Sequence, residues 1–234
     1  MKSHSSTLRV PALVVGILSS PKLLPSAMKL SRSMDVLEFR YDLFPRNAGL
    51  NRFTLDAEQA ASRAGLKTIL TVRSAAEGGG WIGSEKTRLA VYETLSSRFD
   101  MVDVELMSPL CSRVSEIAVT SGVQLILSLH DFSGMPSFSV LDRLLLKARR
   151  HGATWSKFAV TARKQEDIGR LAAWTMKHSD ESVVTIAMGR FGAFGRYSMW
   201  LFGSRAVYGT VGRMPLLAGQ LNVSKLRTLI CCSD

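Results

Sequence analysis

Three short stretches hold the residues best suited to chemistry. In "WSKFAV", Lys157 lies between Trp155 and Phe158-Ala159-Val160, a setting that buries its ammonium, and an ammonium buried without a role is costly. Burial disfavours the charged form, so a lowered pKa and some free amine at neutral pH are expected. A free amine condenses with a ketone to a Schiff base, an electron sink that acidifies the adjacent carbon. In "LILSLHDFSGMP", a buried-strand pattern runs straight into His130-Asp131. A histidine there, with its near-neutral pKa, can take a proton from that carbon and return it to a departing hydroxyl. In "TVRSAAEGGG", Glu77 follows Arg73 by four residues and supplies a carboxylate able to orient the imidazole.

Further polar groups end other apolar runs. "VLEFRYD" sets Glu38 and Arg40 two apart, hence on one side of an extended chain, and "VDVEL" does the same for Asp103 and Glu105. Taken singly, each has a bland explanation: a structural ion pair, a satisfied histidine, a glycine-rich loop. Lys157 is the exception, because its flanks leave it no exposed position.

The elements that must position these groups are legible as an alternation. Eight short β-type apolar runs, 13–17, 36–39, 68–72, 101–105, 124–129, 155–160, 183–188 and 206–208, are separated by stretches of helical periodicity such as "EKTRLAVYETLSSRF", "SFSVLDRLLLKARRHG" and "QEDIGRLAAWTMKHS". "LNRFTLDAEQAASRAG" supplies a further helix, a last one runs over 222–230, and Gly65 and Gly152 fall where helices should end. This is the pattern of an α/β, single-domain (β/α)8 TIM barrel over 1–234. A doubly wound sheet is the competing architecture, but no GxGxxG follows the first strand. In a barrel, side chains at the C-terminal strand ends share one pocket.

Composition narrows the partners. With 46% hydrophobic and 21% charged residues among 234, the chain reads as an ordinary globular protein. Its net charge of +11 is spread along the chain, without a basic run of five or aromatics interleaved among the basic residues. That favours steering of small anions over nucleic-acid binding. Cys111 and the adjacent pair Cys231-Cys232 offer no CxxC spacing for zinc, which points to a reduced, cytoplasmic setting and no metal. The start, "MKSHSSTLRVPALVVGILSSPKLLPSA", has some features of a secretory signal. Its apolar run is bounded by Pro11 and Pro21 and reads equally as a first buried strand, the reading that the rest of the chain supports. No segment approaches the ~20 apolar residues of a membrane span.

In "EFRYDLF", "TVRSAAEGG", "VDVEL", "SLHDF" with Pro136 following, "KFAV" and the tail "FGSRAVYG…AGQ", in that order, the chain resembles the type I 3-dehydroquinate dehydratases over essentially its whole length. The resemblance implies a lyase acting on 3-dehydroquinate. Lys157 would form an imine with the C3 ketone, and His130, assisted by Glu77, would move the C2 proton to the leaving C1 hydroxyl. Glu38, Arg40 and Arg73 would hold substrate hydroxyls and Arg196 the carboxylate, while Phe132, Met188 and Gln220 would line the pocket. It also implies no cofactor and a homodimer.

Three departures stand out. Gly16 and Gly195 replace serines, and "LLAGQ" ending at Gln220 replaces Ser-Ala-Pro-Gly-Gln in the final lid. Loss of these groups is expected to weaken binding or retune the lid before it touches the Lys–His pair. Ser204 and Tyr208 look like packing positions. Another Schiff-base lyase or aldolase on the same barrel, or a non-catalytic anion-binding descendant, are the competing functions.

Overall fold

A computed structural model describes residues 12–47, 49–212 and 220–231, with the side chains of Ala193 and Arg196 outside the described set. Eight parallel strands form one sheet in the order β7-β6-β5-β4-β3-β2-β1-β8. They are β1 (Leu13–Leu18), β2 (Val36–Arg40), β3 (Lys67–Thr71), β4 (Met101–Glu105), β5 (Gln124–Asp131), β6 (Trp155–Thr161), β7 (Val183–Met188) and β8 (Ala206–Thr210). The apolar run near the chain start is therefore a barrel strand, paired with β2 on one side and β8 on the other. The seam between β7 and β8 is drawn together by Arg205 N–H donating to Val183 O at 2.8 Å. Ser204 reinforces it: its hydroxyl accepts from Thr185 N at 3.0 Å and donates to Ala206 O at 3.2 Å. Ser204 is a packing and seam residue.

Among the described residues eight α-helices follow the strands: α1 (Leu24–Lys29), α2 (Leu50–Arg63), α3 (Glu85–Leu95), α4 (Cys111–Ser121), α5 (Phe138–Arg150), α6 (Gln165–Lys177), α7 (Gly192–Ser198) and α8 (Val223–Cys231). Local chemistry fixes their ends. The Ser84 and Ser137 hydroxyls accept N-terminal amide hydrogens of α3 and α5, and Gly65 and Gly152 take φ of 78° and 79° just past α2 and α5.

Strand alternation divides the apolar side chains into two layers. Outward residues such as Leu37, Leu70, Val102, Leu127 and Phe158 pack under the helices. Inward ones such as Val15, Val36, Ile69, Met101, Ile126 and Trp155 fill the barrel. These inner apolar residues come early in their strands. Two residues later on the same inward face of β2 to β6 the side chains turn polar: Glu38, Thr71, Asp103, Ser128 and Lys157, all buried. The lower barrel is thus a dry floor, and the upper barrel a charged layer resting on it.

The two glycine departures are packing features. A Cβ on Gly16 would lie 2.3 Å from Met34 Sδ and 2.8 Å from Val211 Cγ1, both in the outer layer. A Cβ on Gly195 would lie 2.3 Å from Ala187 Cβ, where α7 meets β7. A serine at either position would need its neighbours to shift. The β1 residue at the cavity wall is Ile17. The lid residues of "LLAGQ" before Gln220 lie outside the described residues.

Candidate active site

A cavity of about 320 Å³ opens at the C-terminal end of the strands, and Glu38, Arg40, Arg73, Glu77, His130 and Lys157 all line it. Phe132, Met188 and Gln220 complete the group brought together from the sequence. Phe132 is 55% exposed at the mouth, whereas Met188 and Gln220 are buried. Arg196 falls within α7, and its side chain lies outside the described residues.

Lys157 comes from the middle of β6, beside Ser128 of β5 in the sheet register. Its Nζ donates to Asp103 Oδ2 at 3.0 Å and lies 3.5 Å from Glu38 Oε1. These carboxylates change the expected acid–base state. Burial works to lower the Lys157 pKa, but Asp103 and Glu38 outweigh it and hold the ammonium above the ordinary lysine value. The lowered pKa expected from burial is therefore corrected: the resting side chain is a paired cation. Asp103 is the reciprocal case. Burial opposes its charge, but Arg73 and Lys157 overcome that and keep it well below the usual carboxylate range.

Asp103 is also the hub of the charged layer. Arg73 Nη2 donates to Asp103 Oδ1 at 2.9 Å and Arg73 Nη1 to Ser128 Oγ at 2.6 Å, while Ser128 Oγ donates to the same Asp103 oxygen at 2.6 Å. Thr71 Oγ1 fixes Glu38 Oε1 at 2.9 Å. Asp103 had been visible only as an inward carboxylate, and Ser128 was missed. Its signal was position: it stands two residues before His130 and therefore on the same face. Glu105 departs from the alternation. Its carboxylate is taken by Arg88 of α3 at 3.0 Å and by Ser74 N–H at 2.7 Å, and it does not line the cavity.

That last bond steadies the turn carrying Glu77. The turn Ala75–Glu77 ends at Gly78, whose φ of 74° suits glycine. A Cβ on Gly79 would lie 2.1 Å from Arg73 O, so the glycine run allows the loop to fold back onto its own strand. Glu77 Oε2 accepts the His130 backbone N–H at 2.8 Å and lies 3.1 Å from His130 Nδ1. Burial pushes Glu77 up to about 7, with Arg73 opposing the rise. His130 is held well below the ordinary histidine value by burial first, then by the Arg73 and Lys157 cations. A neutral imidazole anchored through Nδ1 is the form that accepts a proton at Nε2. Arg40, by contrast, is locked by Asp42 in a two-bond pair of 2.9 and 2.7 Å.

Among the described residues no group of three or more His, Cys, Asp or Glu side chains is placed to hold a metal ion, and no helix there is long and apolar enough to cross a membrane.

The type I 3-dehydroquinase family model matches residues 14–233. The 3-dehydroquinate dehydratase of Methanosarcina barkeri is 32% identical over 230 residues, covering 94% of this chain and 93% of that protein. The crystal structure of the Aquifex aeolicus 3-dehydroquinate dehydratase superposes with a TM-score of 0.81 at 28% identity, covering 95% of this chain and 99% of that one. That of Geobacillus kaustophilus superposes at 0.82 with 26% identity, covering 95% and 91%. Family match, relatives and barrel agree: the chain belongs to the type I 3-dehydroquinases, a family of hydro-lyases.

Proposed function

We propose that this chain converts 3-dehydroquinate to 3-dehydroshikimate and water through a Schiff base on Lys157. The observation that carries the reading is the meeting of Lys157 and His130 on one cavity, each beside carboxylates of its own.

The paired ammonium suits this chemistry. An ammonium and a ketone give a protonated imine and water, so the site carries one positive charge before and after condensation. Asp103 and Glu38 stand where that charge stays, stabilising the iminium that serves as the electron sink. His130 then removes the C2 proton through Nε2, and the electrons of that bond flow into the iminium to form an enamine. The enamine expels the C1 hydroxyl, which leaves as water with the proton that His130 returns. Entry and exit of that proton through one imidazole make the elimination syn. Water finally hydrolyses the conjugated imine and restores the ammonium. Glu77 orients His130 and tunes its basicity.

Glu38, Arg40 and Arg73 are the side chains for substrate hydroxyls, and Arg196 is assigned to the carboxylate, where a guanidinium can bind both oxygens. Phe132, Met188 and Gln220 form the walls. No cofactor is needed for this sequence of steps. Action as a homodimer in the cytoplasm, in the shikimate route to aromatic amino acids, belongs to the same proposal and rests on family membership.

The test is direct turnover. Purified protein with 3-dehydroquinate should produce the conjugated enone absorbance of the product, and Lys157→Ala should lose it. Ordinary activity in Lys157→Ala would overturn the mechanism.

A further inference from the structure

Tyr208 stands in the middle of β8, buried with 6% exposure, its ring among the inner apolar residues and forming part of the cavity wall. Packing alone would be met by a phenylalanine. A buried hydroxyl without a partner is destabilising, and among the described residues the Tyr208 hydroxyl makes no hydrogen bond of normal geometry, with the Lys157 ammonium beside it. Lys157 Nζ lies 4.3 Å from the centre of the same ring, so the phenol stands against the nitrogen assigned to imine formation.

The neighbouring carboxylates are already engaged by other donors. Glu38 already accepts from Thr71, and Asp103 from Arg73, Ser128 and Lys157. Burial raises the phenol pKa first, with Glu38 and Asp103 adding to the rise and Lys157 opposing it. The group therefore keeps its proton at neutral pH and is a donor. Gln220 Oε1 is the other unpartnered buried atom among the residues of this cavity, but an amide oxygen only accepts.

We propose that Tyr208 is a further catalytic residue, its hydroxyl donating a hydrogen bond to the oxygen on the substrate carbon that Lys157 attacks. This rests on the Schiff-base reading of the site. One ammonium proton first passes to Asp103, to which Lys157 donates, and frees the nitrogen lone pair. As that pair forms the C–N bond, the carbonyl π electrons move onto oxygen, where the phenol hydrogen bond meets the growing charge. The oxygen takes up two of the three ammonium protons in turn, its bond to carbon breaks, and it leaves as water. The protonated imine keeps the third proton, and the phenol ends as it began.

Tyr208→Phe keeps the ring and removes only the oxygen. Rapid-quench borohydride trapping in single turnovers reads the rate at which the Lys157 adduct appears, and the C2-deuterium isotope effect on kcat reads which step limits. The variant should form the adduct roughly 10- to 100-fold more slowly. Its isotope effect should move toward one, since a step before C2–H cleavage becomes limiting. Its melting temperature should be unchanged or higher, because an unsatisfied hydroxyl is gone, which separates lost chemistry from lost structure. A wild-type adduct together with a Tyr208→Phe rate within twofold of wild type would overturn the role of Tyr208 alone. Absence of any adduct in the wild type would overturn the Schiff-base reading and this inference together.

Discussion

His130 and His178 both sit beside carboxylates, yet their surroundings assign them opposite duties. His178 has both ring nitrogens occupied, Nδ1 by Glu181 at 2.8 Å and Nε2 by Asp142 at 3.0 Å, and its ring packs against Trp174 with centroids 4.6 Å apart. Asp142 also accepts from Trp174 Nε1 at 2.8 Å and from Lys177 at 3.2 Å, so the cluster ties α5 to α6. His130 is bound through Nδ1 alone; among the described residues nothing engages its Nε2, and the ring lines the cavity. A histidine with both nitrogens bound is a clasp. One with a nitrogen left over, facing a pocket and ringed by cations, is a base.

Substitutions can break this contrast, and the largest effect is expected at His130. His130→Ala should reduce kcat by about 10²- to 10⁴-fold while still allowing the Lys157 imine to be trapped, and its melting temperature should stay close to wild type. Stopped assays and intact-mass measurement after borohydride check both halves. Loss of the adduct along with turnover would mean that His130 is needed for condensation itself.

Glu77→Gln should act less strongly and mainly through pH. With Glu77 pushed up to about 7 by burial and His130 held below its ordinary value, the wild-type rate profile should carry an inflection near pH 7 and a second, lower acid limb. Only the lower limb should survive in the variant. Stability should move the other way. A carboxyl whose folded pKa lies above its unfolded value favours folding when protonated and loses that contribution as pH rises through about 7. The variant should therefore gain melting temperature relative to wild type between pH 5 and pH 8; a gain that shrinks with pH would contradict the assignment.

The smallest catalytic effect is expected at the clasp. His178→Ala leaves Asp142 and Glu181 short of a partner and should cost about 1–3 kcal/mol of stability, read as a melting temperature several degrees lower. Its kcat should remain within twofold of wild type. A large loss of kcat in a folded protein would remove the distinction between the two histidines.

Much of this arrangement was legible in the residues, for identifiable reasons. Strands buried on both faces read as short apolar runs, and β4 and β7 fall where those runs lie. Helix α1 was hidden because it is a six-residue helix starting next to Pro25, and α7 because "GAFGRYS" has the glycine content of a loop. Lys157 could be named because an ionisable side chain inside an apolar run has few explanations, whereas Phe132, Met188, Arg196 and Gln220 were legible only through the family resemblance. The charge state of Lys157 could not be read. It depends on Asp103, which is 54 positions away in sequence and meets the amine only when the barrel closes. Tyr208 looked like packing for a similar reason: an unpartnered hydroxyl is visible only once its neighbours have been placed.

The most direct test of the central claim is borohydride reduction of the wild-type protein with 3-dehydroquinate or its product, followed by peptide mass mapping. One adduct is expected, of the mass of the reduced imine, on the peptide containing Lys157. A product that accumulates with no adduct, or an adduct on a different lysine, would contradict the account.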